Sequence, residues 1–284
     1  MRRSFDEIMQ LIMDKAVKDE RIRAVTMEGS RANANALHDE FSDFDICYYV
    51  TDIREFAGDK EWIKYFGDIL ILQTPCDDFM CPYDYSSRDE YNYLMHFADG
   101  NRIDLTMKDI SHIGKEVYNT EPRIILLNKD NFKELIPLES EKAFYITKPC
   151  KAEYDFACNE FRWLSLYVMK GLLRKQLYYA KYIYDCIMVE QFIKMLNWKI
   201  GIEYNFSVTT GASSKYLKKY LSLEEMERFA SIFPGGDYED IWNKLFIMYD
   251  YFAELCEFVA DKLDFEHDKY ETARVRDFLE KNKT

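Results

Sequence analysis

A Gly-Ser pair, followed at a set distance by an Asp-apolar-Asp triplet, restricts this chain more than any bulk property. Ile22 to Met27 reads as a short strand that stops at Gly29-Ser30. After twelve intervening residues, Asp43-Phe44-Asp45 opens a second run through Ile46, Cys47, Tyr48, Tyr49 and Val50. Side chains at i and i+2 of a strand share a face, so Asp43 and Asp45 are expected side by side at the start of that strand. Two carboxylates so placed repel one another unless a cation lies between them. The Gly-Ser turn lets a phosphate approach the backbone, because glycine puts no Cβ in the way. Such a pattern belongs at the end of a sheet, beside a cation. It suits Mg²⁺, which takes oxygen ligands from one or two carboxylates and from the phosphates of a nucleotide.

The rest of the first half builds that sheet. Ser4 and Glu7 form a capping box ahead of Ile8, Leu11, Ile12 and Ala16, an amphipathic helix. Ile69 to Gln73 reads as a third strand, and Pro75 to Arg88 as an acidic surface loop. Tyr91 to Phe97, Asp99-Gly100 and Arg102 to Met107 make a hairpin, which Asn101 can lengthen by one residue. In its outgoing strand Ile103, Leu105 and Met107 alternate with Arg102, Asp104 and Thr106. Asp is disfavoured in mid-strand, so Asp104 is expected on a polar face, as a third carboxylate beside Asp43 and Asp45. A helix from Asp109 and a strand from Arg123 to Leu127 complete this half.

After Lys148-Pro149 the alternation disappears. Helices are expected over 152–170, ending near Gly171, and over 176–198, with a break at Gly201. Further helices are expected over 214–220, 223–233, 238–263 and 267–280. Ile241, Leu245, Met248, Phe252, Leu255 and Val259 recur at the spacing a helical bundle needs. The expected fold class is α+β: a mixed β-sheet with flanking helices over 1–150, then an all-α bundle over 151–284.

Composition removes several alternatives. A hydrophobic content of 48% supplies a core and argues against disorder. No apolar run approaches the ~20 residues of a membrane span, and the first residues lack a signal-peptide pattern, so a cytoplasmic setting is expected. The seven cysteines lack paired metal-site spacing and read as reduced thiols. A formal charge of −13 repels nucleic acid and favours a cationic small molecule as partner.

Three carboxylates on neighbouring strands plus a Gly-Ser turn fit metal-dependent phosphoryl or nucleotidyl transfer, where positioning and charge neutralisation carry the catalysis. Asp43 and Asp45 are the candidate ligands of Mg²⁺ on a nucleoside triphosphate, with Asp104 shared by a second ion if one binds. Gly29 and Ser30 are candidate phosphate contacts through backbone N–H groups and the hydroxyl. Arg31 is a further candidate there, or a solvated side chain.

The order G-S, about a dozen residues, D-h-D-h and a later acidic residue resembles the DNA polymerase β-like nucleotidyltransferase superfamily. EGSR, SDFDI and DGNRIDL, with NEFRWLSLYVMKGLLR, AKYIYD, KMLNW, FSVTTG and KYLKKYL in the second half, resemble the aminoglycoside 6-adenylyltransferases over nearly the whole chain. Glu28 before the glycine is shared with that family. Arg162 departs from it, since two aromatics usually follow N-E-F there. The resemblance implies a catalytic domain at 1–150 and a substrate-binding domain at 151–284, facing each other across a cleft. It implies ATP as co-substrate and AMP transfer to the 6-hydroxyl of streptomycin. Ser30 matches the phosphate contact, Asp43 and Asp45 the metal pair, and Asp104 the third carboxylate. Asp104 and Glu160 are the candidate general bases, Lys170 a candidate triphosphate contact, and Glu160, Asp185 or Glu190 candidate partners for guanidinium groups. Readings of other classes are a relative with another acceptor, such as a lincosamide or a protein hydroxyl, and a nucleotide-binding regulator without chemistry.

Overall fold

The computed structural model describes residues 1–36, 38–77, 90–118, 121–139 and 141–283. Most of the acidic stretch, including Asp78, Cys81, Asp84 and Asp89, lies outside the described residues. The chain divides into two compact units, Met1–Ala143 and Phe144–Thr284.

The first unit is a six-stranded mixed sheet. Its strands are β1 (Ile22–Met27), β2 (Phe44–Val50), β3 (Ile69–Gln73), β4 (Glu90–Phe97), β5 (Arg102–Asp109) and β6 (Ile124–Asn128), in the order β3-β4-β5-β2-β1-β6. β2 and β5 run parallel, and the other neighbours are antiparallel. Helix α1 (Phe5–Lys18) starts at the capping box of Ser4 and Glu7 and buries Ile8, Ile12 and Ala16. The Tyr48 hydroxyl donates to the Ile12 carbonyl at 2.6 Å and ties that helix to β2. One sheet face joins Ile46, Tyr48 and Val50 to Ile103, Leu105, Met107, Tyr91 and Tyr93 in a continuous core. The opposite face carries a smaller cluster of Ala24, Cys47 and Tyr49 with Ile113 and Leu135. That cover reaches Cys47 and Tyr49, while Asp45, two residues earlier on the same face, is the one residue of β2 that is not buried. The hairpin turn is longer than an Asp-Gly two-residue loop: Gly100 takes φ +86°, and buried Asn101 donates to the Arg3 carbonyl and to Asp99.

The second unit is helical: α3 (Lys151–Leu173), α4 (Leu177–Tyr182), α5 (Val189–Glu203), α6 (Leu223–Ser231), α7 (Tyr238–Leu263) and α8 (Lys269–Asn282). Phe161 and Phe252 stack at 3.6 Å between α3 and α7, at the centre of its core. Arg162 pairs with Glu271 at 2.7 Å and donates to Thr272, so the residue that departs from the family pattern ties α8 to α3.

Two glycines expected to end helices lie inside them. α3 continues past Gly171, where an added Cβ would stand 3.0 Å from the Ala180 Cβ and from the Tyr179 ring. α5 continues through Gly201, against the Phe206 ring. Both admit a close neighbour and terminate nothing. The long helix expected from Gln176 is interrupted by a π-helical turn, Ile183–Met188, between α4 and α5. The helix expected after Asp109 is a 3₁₀ segment, Ile110–Tyr118, and that over 214–220 is two short 3₁₀ turns. Among the described residues no helix is long and apolar enough to cross a membrane, and no cysteine is in a disulfide.

Candidate active site

Parallel pairing of β2 with β5 sets Asp45 directly opposite Asp104. Register partners in a sheet project to the same side, so two carboxylates from distant parts of the sequence meet on the uncovered face. Asp43, two residues before Asp45, joins them. The charge between them is met by Arg102. Its guanidinium grips both oxygens of Asp104, at 2.7 and 2.6 Å, and reaches Asp43 at 3.4 Å. Arg102 lies two residues before Asp104 on the same strand face, a spacing that names it in hindsight.

Gly29 explains how the turn meets the carboxylates. It has φ +64°, and a Cβ built there would fall 2.1 Å from an Asp45 carboxylate oxygen. The carboxylate therefore lies flat against the glycine backbone, a packing no other residue permits. The Glu28 N–H donates to the Asp45 carbonyl at 2.8 Å and fixes the turn to the start of β2. Ser30 follows in a single short turn, Gly29–Ala32 (α2), and its carbonyl accepts from the Asn33 N–H.

Arg31 is held by the backbone beside the carboxylates. It donates to the carbonyls of Asp43 at 2.9 Å and Ser42 at 2.6 Å, and its guanidinium lies 4.0 Å from the centre of the Phe44 ring. This clamps the residues that carry Asp43 and Asp45.

Electrostatics mark Asp45 as the strained member. Burial, followed by the neighbouring charges of Asp104 and Asp43, pushes its pKa up to about 6. Burial also raises Asp43, against the pull of Arg102. Two guanidinium groups act on the three carboxylates, Arg102 by direct contact and Arg31 from farther off, and Glu28 adds to the negative potential at Asp45, so the cluster stays short of positive charge. Among the described residues no three acidic, imidazole or thiolate groups already converge as a metal-binding set. The donors present are nevertheless all carboxylate oxygens, the chemistry Mg²⁺ takes, and Arg102 spans Asp43 and Asp104 where a cation would. The donor set fits the ion in its chemistry.

The remaining candidates lie in the helical unit. Glu160 is half-exposed on α3, and Lys170 is exposed near the end of the same helix, 5.4 Å from the centre of the Tyr167 ring. Asp185 sits in the π-helical turn, and its carboxylate pairs with Lys181 at 2.9 Å.

The sequence model of the family described as streptomycin adenylyltransferase matches residues 1–282. An aminoglycoside 6-adenylyltransferase of Bacillus subtilis (strain 168) is 33% identical over 270 residues, covering 95% of this chain and 94% of that protein. One from Campylobacter jejuni is 35% identical over 271 residues, covering 95% and 92%. A solved structure of an aminoglycoside 6-adenyltransferase from Bacillus subtilis aligns at 31% identity over 99% of this chain and 98% of that one, with a TM-score of 0.49.

Proposed function

The chain belongs to the streptomycin adenylyltransferase family, and from that premise we propose that it transfers AMP from Mg·ATP to the 6-hydroxyl of streptomycin, releasing pyrophosphate. Family membership makes it a nucleotidyltransferase. The acceptor, its regiochemistry and the metal are the proposal. The observation that carries it is the pairing of Asp45 with Asp104 against Gly29, with Asp43 alongside.

In this reading Asp43, Asp45 and Asp104 hold Mg²⁺, which when bound neutralises triphosphate charge and acidifies the attacking hydroxyl. The backbone at Gly29 and the Ser30 hydroxyl donate to phosphate oxygens. Arg31 acts one step back, keeping Asp43 and Asp45 in place through the Ser42 and Asp43 carbonyls. The acceptor oxygen bonds to the α-phosphorus as the bond to the bridging oxygen breaks. Pyrophosphate leaves with that electron pair, and the hydroxyl proton passes to a carboxylate. Asp104 is the first candidate for that base, because it stands among the metal-binding groups. Glu160, which makes no ion pair among the described residues, is the second. Lys170 remains a candidate for the triphosphate, being unpaired among the described residues. Asp185 is a weaker candidate for the acceptor, since Lys181 already neutralises it.

Pyrophosphate release with Mg·ATP against streptomycin, spectinomycin, kanamycin and lincomycin tests the reading. Turnover with streptomycin alone is expected, and no turnover with streptomycin would refute it. At saturating ATP, the larger fall in kcat between Asp104→Asn and Glu160→Gln identifies the base, with metal affinity measured in parallel. Equal, small losses in both would exclude both.

A further inference from the structure

Two thiols meet in the core of the helical unit. Cys158 of α3 and Cys256 of α7 bring their sulfurs to 3.4 Å, in hydrogen-bond contact. The layers on either side hold the two helices at that spacing. On one side Phe161 and Phe252 stack at 3.6 Å between ring centres. On the other, the Tyr154 hydroxyl donates to the Cys256 carbonyl at 3.1 Å. A disulfide is about 2.0 Å long, so the sulfurs lie little more than about 1 Å from bonding distance.

The surroundings are not those of a purely apolar core. The Tyr154 hydroxyl lies 2.7 Å from Nδ1 of His267, a residue of the connection between α7 and α8. Packing volume alone calls for neither a phenol nor an imidazole beside two sulfurs. These groups act on the thiols unequally. The hydrogen bond with Cys256, helped by His267 and Tyr154, holds the Cys158 thiol below its ordinary pKa against the opposing effect of burial. Burial first, and then Cys158, pushes Cys256 up. One sulfur is thus the readier thiolate while its neighbour keeps its proton, the division with which a dithiol closes. Both thiols are buried, yet what covers them from this end is a connection rather than a helix. Within it Phe265 and His267 are half-buried against Tyr154, while Asp264, Glu266 and Asp268 are exposed. Such a segment opens locally at lower cost than a helical core, and a peroxide has only two heavy atoms to pass.

We propose that Cys158 and Cys256 form a redox lock, a dithiol that peroxide oxidises to a disulfide tying α3 to α7. The Cys158 thiolate attacks one peroxide oxygen and the O–O bond breaks. Hydroxide leaves and takes up the proton that the thiol released, so that Cys158 becomes a sulfenic acid. The Cys256 sulfur then attacks the Cys158 sulfur. The S–O bond breaks, and its hydroxide departs as water with the Cys256 proton. The two sulfurs give up two electrons, and one hydrogen peroxide becomes two waters. A small dithiol reverses the oxidation by exchange. In a reducing compartment such bonds are transient and report oxidant. The lock is independent of which acceptor the enzyme uses.

The test treats the full chain, reduced and then freed of reductant, with one equivalent of hydrogen peroxide. The protein is then alkylated in denaturant and mapped by mass spectrometry. Wild type is expected to lose two of its seven thiols, with Cys158 and Cys256 in one linked peptide pair that dithiothreitol separates. Closing a loop of about a hundred residues restricts the unfolded chain, so the Tm of the oxidised protein is expected to rise by several degrees. Cys158→Ser is expected to form no bond. Cys256→Ser is expected to stop at a sulfenic acid on Cys158, captured by dimedone. A Cys150→Ser/Cys186→Ser protein lacks two exposed thiols and keeps the buried pair. It is expected to form the same bond, and it decides the matter if the buried variants fail to fold. Seven free thiols after peroxide, a bond through another cysteine, or a Tm that does not rise with the crosslink would overturn the lock.

Discussion

At Gly29 a single hydrogen separates a working turn from a blocked one. An alanine Cβ would stand 2.1 Å from one Asp45 oxygen and 2.8 Å from its carboxyl carbon, on a backbone at φ +64°. Asp45 must then move off the turn. Gly29→Ala is expected to lower kcat/KM by ~100-fold or more with an unchanged circular dichroism spectrum, because misplacing a catalytic group by about 1 Å costs on that order. Near-normal turnover would mean that Asp45 is not held against the turn during catalysis. Asp45 also links this face to pH. Its folded pKa of about 6 lies above its ordinary 3.8, so the folded state holds that proton more tightly than the unfolded chain. The sign follows: stability is present below about 4 and is lost as pH rises through about 6. Removing the charge should therefore stabilise the metal-free protein. In EDTA at pH 7.5, Asp45→Asn is expected to unfold a few degrees above wild type, roughly 1–2 kcal/mol, with the difference vanishing near pH 4. Added Mg²⁺ should raise the Tm of wild type and not of the variant. A variant less stable than wild type at pH 7.5 in EDTA would show that the cluster is not short of positive charge.

Elements differ in how far local pattern determines them. The two-residue period of Asp43/Asp45 and of Arg102/Asp104/Thr106 placed each carboxylate on a polar face, and the capping box at Ser4 marked the start of α1. That Asp104 lies on a strand next to that of Asp45 was legible, but the parallel direction and the register setting Asp45 opposite Asp104 were not, because about fifty residues and two other strands separate partners that meet only through tertiary packing. Arg102 was visible as a strand residue but not as the counter-charge of Asp43 and Asp104, for the same reason. Arg31, left between a phosphate contact and a solvated side chain, turned out to hold two backbone carbonyls. The helices end at Leu173 and Glu203, close to Gly171 and Gly201 as the pattern implies, but the glycines themselves lie within the last turn. Glycine weakens a helix, so Gly171 looked like an end, whereas its missing side chain admits Ala180 of α4. Here the sign of a mutation decides. Gly→Ala inside a helix ordinarily gains ~1 kcal/mol, but overpacking against a backbone costs about 1–3 kcal/mol. Gly171→Ala is expected to lower Tm in thermal unfolding, and a rise would show that α4 can move aside.

Across the molecule, the change from alternating to helical periodicity near Pro149 sits close to the division between Ala143 and Phe144. The strap after Phe144 goes with the helices because the Ile146 N–H donates to the Val208 carbonyl at 2.9 Å. Motifs resembling one family run through both units, and the family model spans 1–282. The proposed function gives the metal and the triphosphate to the sheet unit and the acceptor to the helical unit. The formal charge of −13 is consistent with that proposal, since an acidic surface favours a cationic partner and repels a bare triphosphate. The carboxylate face built by Asp43, Asp45 and Asp104 is central to this account. Single-turnover transfer of the α-phosphate label from Mg·ATP to streptomycin, in wild type, Asp43→Asn and Asp45→Asn, tests it most directly. Labelled streptomycin is expected from wild type, with the rate falling by several orders of magnitude in either variant while both remain folded. Transfer at a near-normal rate in Asp43→Asn or Asp45→Asn would contradict it.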